Sequence, residues 1–370
     1  MTQGQIEIQV IAAVVAAACA LPGTFLVLRR MAMMSDAISH AILPGIVVGF
    51  FITHDLNSPL LILAAAATGV LTVFLVETLL ATRLVKEDAA IGLVFPVLFS
   101  IGVILIARYA GDVHLDTDAV LLGELAFAPF DRLILFGHDV GPRSLYVMGG
   151  IAILNAICII TFYKELKLST FDAGLAAALG FAPALLHYGL MTLVSITAVA
   201  AFDAVGSVLV VAFVIGPPAA AYLLTDRLGA MIGISLLVGV ISAIGGYWMA
   251  HLLDASIAGA MASMIGVVFT LIYVLSPRHG LAAAYARRQR QRWEFAEKML
   301  TIHLMHHEGL PEAAEENRVE HLEDHLRWDP RFARRVVRRA VEGGLVRRSN
   351  GHLMLTDAGR ALAGEAIVQT

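Results

Sequence analysis

Between Met1 and Pro277 the chain is a run of apolar stretches, each about as long as a bilayer is thick and separated by short polar connections. That pattern leaves few folds open. A helix needs roughly 20 apolar residues to cross the hydrocarbon core, and peptide groups in lipid must be satisfied internally, so spanning segments are helices or closed barrels. Spans are expected near 8–28, 36–54, 59–81, 90–108, 144–162, 186–202, 205–224, 229–250 and 256–275, with 186–202 the shortest. This makes about nine spans of the roughly 20-residue kind. Eight stays open, because 109–143 mixes DVHLDTD, an apolar LLGELAFAPF and two arginines, and reads as an outer loop or a partly re-entrant segment. The composition, 58% hydrophobic and 15% charged, is far from the roughly 25% charge of a soluble domain. It argues against a soluble enzyme, a disordered regulator and a free nucleic-acid binder. Cys19 and Cys158 are the only cysteines; both lie in apolar runs and read as small core residues, not a disulfide. The N-terminus has no basic n-region and no small-residue cleavage site, so the first apolar run is expected to remain in the mature protein.

Basic residues are retained on the cytoplasmic side and set orientation. Arg29 and Arg30, Arg83 and Lys86, Lys164 and Lys167, Arg227 and Arg278 fall in alternate connections. Those loops are then inside, the N-terminus outside and the C-terminus inside.

Ionisable residues within spans are costly and usually mark a pathway. Asp36 and His40, spaced i, i+4 in MMSDAISHAILPG, stand one above the other on one helix face. A carboxylate and an imidazole make half of a divalent-metal site, or a hydrogen bond that clamps two helices. Pro44 and Gly45 follow, where a proline kinks a helix and frees backbone carbonyls beside a path. Asp203 reads as a helix break or an interior residue, with the break favoured, and Glu77 as an interfacial pair or snorkelling end. His114, Asp116 and Asp118 alternate; in extended chain they share one side, forming an outer cation-attracting patch or an ordinary solvated loop.

KELKLSTFDAGLAAALGFAP (164–183) is expected to hold a short helix, capped by Asp172, filled by alanines and ended by Gly180 and Pro183. A small-residue helix on the inner side suits a groove on a cytosolic partner. The chain has no G-x-x-x-x-G-K-[ST], so any nucleotide-driven step needs a separate ATPase.

Five segments in order, GTFLVLRRMAMMSDAISHAILPG (23–45), EDAAIGLVFPVLFSIGVILI (87–106), HLDTDAVLLGE (114–124), TFDAGLAAALG (170–180) and AVGSVLVVAFVIGPPAAAYLLTDRL (204–228), resemble the metal ABC transporter permeases. These are the membrane subunits of bacterial zinc, manganese and iron importers, and the resemblance covers about residues 8–280. It implies a multi-pass protein of the bacterial inner membrane, paired with a second permease subunit as a homodimer or related heterodimer. It also implies an extracytoplasmic metal-binding protein, an ABC ATPase subunit, and a transported Mn, Zn or Fe ion with no permanently bound cofactor. By the same resemblance Asp36 and His40 contact metal in the translocation path, and Phe171, Asp172, Ala177 and Gly180 lie in the ATPase-coupling region. Ser35 stands where many relatives have glycine.

From residue 278 onward the balance of charge reverses: 16 Lys and Arg against 13 Asp and Glu, compared with 10 against 17 before it. Two parts of the chain have two different solvents. YARRQRQRW is a basic stretch suited to anionic lipid. Three helical patterns follow, in WEFAEKMLTIHLMHHEG, VEHLEDHLRW and DPRFARRVVRRAVEGGLVRR, then a hairpin turning at Ser349, Asn350 and Gly351 and a closing helix. This order resembles the winged helix of metal-dependent repressors of the diphtheria toxin regulator type. Arg334, Arg335, Arg338 and Arg339 would meet phosphate in a free repressor, but a net charge of only +3 over 278–370 favours headgroups, the ATPase or solubility, and DNA is not expected as a partner. His303, His306 and His307, with His321 and His325, form faces that read as a cytosolic metal sensor or as a solvated surface.

The expected fold is therefore an all-α polytopic membrane domain over 1–280 and a small α+β winged-helix cytoplasmic domain over 281–370. The expected function is the permease of an ATP-driven metal importer. A membrane-tethered metal-responsive transcription regulator and a proton-driven secondary metal transporter are the alternatives.

Overall fold

The computed structural model describes residues 2–54, 58–109, 125–135, 138–277, 279–311, 317–318, 322, 326–349 and 351–368. It divides into two compact units, Met1–Gly280 and Leu281–Thr370. In the first unit the described helices are α1 (Gln3–Leu28), α2 (Ala32–Ala41), α3 (Leu43–Thr53), α4 (Pro59–Ala81), α5 (Glu87–Tyr109), α6 (Arg143–Thr161), α7 (Tyr163–Phe171), α8 (Ala173–Ala178), α9 (Pro183–Val205), α10 (Ser207–Tyr222), α11 (Leu228–Leu253) and α12 (Ile257–Leu275). Ahead of α6, a 3-10 turn at Ala128–Phe130 leads into the antiparallel hairpin β1 (Arg132–Leu135) and β2 (His138–Pro142). The protein is a helical multi-pass membrane protein.

Among the described residues, 8 spans are long and apolar enough to cross a membrane, with α2 and α3 together making one of them. The expected ninth is present as α10, but its 16 residues reach only about 24 Å at 1.5 Å per residue. The short apolar helix is thus 207–222, not 186–202. The reason lies in what stops a helix. Pro183 opens α9, which runs for 23 residues through Asp203 and ends at Gly206, whose φ of 79° no ordinary side chain favours. Asp203 sits in the last turn of α9 and does not break it. The described part of 109–143 is a turn and a hairpin.

The span carrying Asp36 is interrupted. α2 stops at Ala41, Ile42 intervenes, and Pro44 falls in the first turn of α3, where its missing N–H costs no helical bond. The bundle is held by close backbone approach and by buried polar bonds. A Cβ on Gly23 of α1 would collide with the carbonyl of Val214 in α10, and one on Gly45 of α3 with the carbonyl of Ala64 in α4. Buried Asn155 of α6 donates to the Ala18 carbonyl at 3.0 Å and to Thr197 Oγ1 at 2.8 Å, linking α6, α1 and α9.

The second unit contains α13 (Leu281–His307), α14 (Pro330–Glu342), β3 (Val346–Ser349), β4 (His352–Leu355) and α15 (Asp357–Val368). The basic stretch forms the first half of α13, because Arg and Gln are good helix formers and no Gly or Pro interrupts them. Asp329 Oδ1 accepts from the Arg331 and Phe332 amides and caps α14. β3 and β4 pair in register from Val346 with Leu355 to Ser349 with His352. Most of VEHLEDHLRW lies outside the described residues.

Candidate metal path and coupling region

The chain between α1 and α2 is a three-residue joint, Arg29, Arg30 and Met31. Arg30 adopts a left-handed φ of 63°, so α2 sets off in a new direction from α1. Asp36 and His40 stand on α2 with Asp36 Oδ1 3.6 Å from His40 Nε2; their side chains are 39% and 29% exposed. The pair is therefore close enough to share a cation and open enough for one to reach it. The Phe95 ring of α5 lies 6.0 Å from the His40 ring. Ser35 is fully buried, and its Oγ has no hydrogen-bond partner among the described residues. Also among the described residues, no group of three or more His, Cys, Asp or Glu gathers. Asp36 and His40 are thus two candidate ligands side by side, with no third His, Cys, Asp or Glu beside them among the described residues.

The inner-side helix expected at 172–180 is α8. Asp172 Oδ1 accepts from the Leu175 amide at 2.8 Å, and Gly180 turns the chain with a φ of 87°. Sequence reasoning missed the helix α7 that precedes it. α7, α8 and the residue that follows α8 present exposed apolar side chains: Phe171 is 63% exposed, Leu179 61% and Leu175 46%. Ala177 is exposed and Ala176 buried, so Ala177 faces outward on the same element.

A second polar cluster, which sequence reasoning also missed, lies at the ends of α1, α4, α7 and α9. It lines a cavity of about 320 Å³ with Arg29, Glu77, Ser169, His187 and Tyr188 among its walls. Arg29 Nε donates to Thr170 Oγ1 at 3.1 Å, Nη2 to Ser169 Oγ at 3.0 Å, and Nη1 lies 3.1 Å from His187 Nδ1. His187 Nε2 is 2.6 Å from Glu77 Oε1, and the Tyr188 hydroxyl donates to Glu77 Oε2. Partial burial draws the Arg29 guanidinium below its ordinary pKa, yet an arginine stays charged. In sequence Glu77 is seen only beside Arg83, and Arg29 only as an orientation signal. The available clue was three ionisable residues, Arg29, Glu77 and His187, at span ends expected on one side.

His114, Asp116 and Asp118 lie outside the described residues, as do His321 and His325. His303, His306 and His307 share the last turns of α13. The His303 and His307 rings are 4.8 Å apart and those of His306 and His307 5.4 Å. On α14, Arg339 Nε bonds Glu297 at 2.8 Å and its guanidinium lies over Trp293, so one of the four arginines is committed within the unit.

Known proteins bear on the whole chain. A model of the ABC 3 transport family matches residues 5–277. The zinc transport system membrane protein TroD of Treponema pallidum (strain Nichols) is 48% identical over 357 residues, 96% of this chain and 97% of TroD. The manganese transport system membrane protein MntD of Bacillus subtilis (strain 168) is 49% identical over 267 residues, 72% of this chain and 90% of MntD. Among solved structures, PsaBC from Streptococcus pneumoniae in complex with Fab has a TM-score of 0.63 at 26% identity, covering 78% of this chain and 96% of that one. A 357-residue match cannot be held within a unit that ends at Gly280, so TroD also resembles the second unit. The chain, matched over most of its length, belongs to the ABC 3 transport family.

Proposed function

We propose that the protein is the permease subunit of an ATP-driven importer of a divalent transition metal, manganese, zinc or iron, in a bacterial plasma membrane. The observation that carries this is the Asp36–His40 pair, half-exposed on a helix that is broken immediately before and after it. Two mixed ligands suit a passing ion. A fuller set would trap it, and conduction requires binding loose enough to release. Metal delivered by an extracytoplasmic binding protein is held there briefly, and the path then opens to the other side. The relatives named for zinc and manganese support this class of cargo.

The exposed apolar face of α7 and α8, with Phe171, Asp172, Ala177 and Gly180, receives the ATPase subunit, and a second permease subunit completes the path. Positive residues in alternate connections put this face and the second unit in the cytoplasm. In the second unit the β3–β4 hairpin has the place of a wing after α14. His303, His306 and His307 there, with His321 and His325, report cytosolic metal.

Uptake of radioactive Mn or Zn in cells carrying Asp36→Ala or His40→Ala is the test. Each variant is expected to lose uptake while its assembly with the ATPase subunit persists, since one ligand is removed and little packing. Full uptake by both would overturn the site. Loss of assembly would mark the pair as a helix clamp.

A further inference from the structure

We propose that Arg29 is a positioning residue that ties the α7–α8 docking element to the α1–α2 joint, so that movement of that element reaches Asp36 and His40 through one guanidinium. This rests on the reading of α7–α8 as the ATPase-docking surface.

The geometry is specific. Three nitrogens of Arg29 engage Thr170 and Ser169 at the end of α7 and His187 in the second turn of α9. An arginine only donates, so its contact with His187 Nδ1 requires that nitrogen to be bare. The neutral imidazole then carries its proton on Nε2, which lies 2.6 Å from Glu77 Oε1 on α4 but is not aligned for a hydrogen bond to it. Glu77 in turn accepts from Tyr188 through its other oxygen. Arg29 thus joins α7 to α9 by hydrogen bonds, and α9 holds α4 through the neighbouring Tyr188.

What makes Arg29 more than a clamp is its place in the sequence. It is the first residue after α1, and the helical ladder ends there: Arg29 N still bonds Phe25 O, whereas Met31 N reaches back to Leu26 O across the left-handed Arg30. Upstream, α1 is buried along most of its length, so it yields little to a pull on Arg29. The joint yields instead, and α2 with Asp36 and His40 begins one residue beyond it. The cavity of about 320 Å³ beside the guanidinium leaves room for such a shift. The same groups make a poor cation site: the carboxylate of Glu77 already accepts from Tyr188 and lies against His187, and a guanidinium sits against the imidazole.

The experiment uses the full transporter, permease with its ATPase subunit in proteoliposomes, and reads metal ions taken up per ATP hydrolysed. Arg29→Ala is expected to lower that ratio about tenfold or more, as loss of several hydrogen bonds to a charged group implies, with the ATPase subunit still co-purifying. Arg29→Lys should fall between, because an ammonium cannot match a planar fork. The second pair is sharper. His187→Gln can still accept from Arg29 and should keep the ratio within about twofold of wild type, while His187→Leu cannot and should resemble Arg29→Ala. An unchanged ratio in Arg29→Ala, or equal ratios for the Gln and Leu variants, would overturn the proposal. If Arg29→Ala fails to insert, the His187 pair decides alone. The docking reading is checked separately by cross-linking an Ala177→Cys permease to the ATPase subunit: failure there removes the docking surface, while success with an unchanged ratio removes only the role of Arg29.

Discussion

The two units differ in how much of their packing rests on small residues. Alanine is the commonest residue in the main core of the first, Ala12, Ala16, Ala18, Ala65, Ala198, Ala201 and Ala204 among them, beside Val, Ile, Leu and Met, and its helices meet where Gly23, Gly45 and Gly246 let backbones approach. The second is filled by large side chains, Leu300, Leu304, Leu322, Val336, Val337 and Leu353, with Trp293 and Phe332 stacked beside them at 5.1 Å. Water explains the difference. In lipid a leucine gains nothing by leaving the acyl chains, so helices associate through close van der Waals contact and shared polar groups. In water each buried leucine is worth about 1.5–3 kcal/mol by burial alone, and size is rewarded. Charge segregates accordingly: α14 keeps Ala333, Val336, Val337 and Ala340 buried while its arginines 334, 335 and 338 stay exposed.

The largest expected effect tests the first half of that contrast. Gly23→Val should abolish recovery of folded, detergent-stable protein, because its side chain would drive into the Val214 backbone and force α1 from α10. Gly189→Ala, on α9 with nothing within 4 Å of the added carbon, should be neutral or stabilising by about 0.5–1 kcal/mol. If both glycines tolerate substitution equally in thermal unfolding, close approach is not what holds the bundle.

In the second unit the corresponding change is removal of bulk. Leu300→Ala, at a fully buried site, should destabilise that unit by about 2–5 kcal/mol. Because the units are separate compact bodies, metal uptake should survive, and so should uptake after deletion of 290–370, with only its response to cytosolic metal altered. Complete loss of inserted protein on deletion would show that the first unit needs the second. Asn155→Leu, back in the bundle, should cost less, about 1–2 kcal/mol for the lost interhelical bonds, read as a shift in thermal midpoint.

Much of this was legible because lipid imposes a coarse code. Span positions followed from apolar length, and the Asp36–His40 pair from i, i+4 spacing alone. The Asp172 cap and the Gly180 stop of α8 followed from local turn chemistry. What could not be read depends on assembly in three dimensions. Arg29, Glu77 and His187 are far apart in sequence, and each alone looks like a span end reaching for water; only folding brings them to one cavity. α9 is longer than the expected 186–202 because Pro183, read as ending the preceding short helix, opens it, and because Asp203 is tolerated in its last turn before Gly206. The break at Ile42 was anticipated from Pro44, but the left-handed Arg30 that opens the same segment carries no sequence signature, since arginine rarely adopts that conformation.

The smallest expected effect concerns Glu308, just past α13, and Arg360 of α15. Arg360 reaches Glu308 with Nε at 3.1 Å and Nη2 at 2.8 Å, and it also holds Asp357. The hydrogen bonds from Arg360 come first among the causes that keep the Glu308 carboxyl below its ordinary pKa. A carboxylate whose folded pKa is depressed adds stability above its unfolded value, about 4.3, and loses it as pH falls through the folded one. The second unit should therefore become less stable on acidification from about pH 5 downward, with Glu308→Gln flattening part of that dependence. Both side chains are more than 40% exposed (46% and 42%), so solvent screening keeps the contribution small, well below that of Leu300→Ala. Chemical denaturation of wild type and Glu308→Gln at neutral and acidic pH reads the difference directly. Equal pH dependence in the two proteins would show that the pair orders the end of α13 without stabilising the unit.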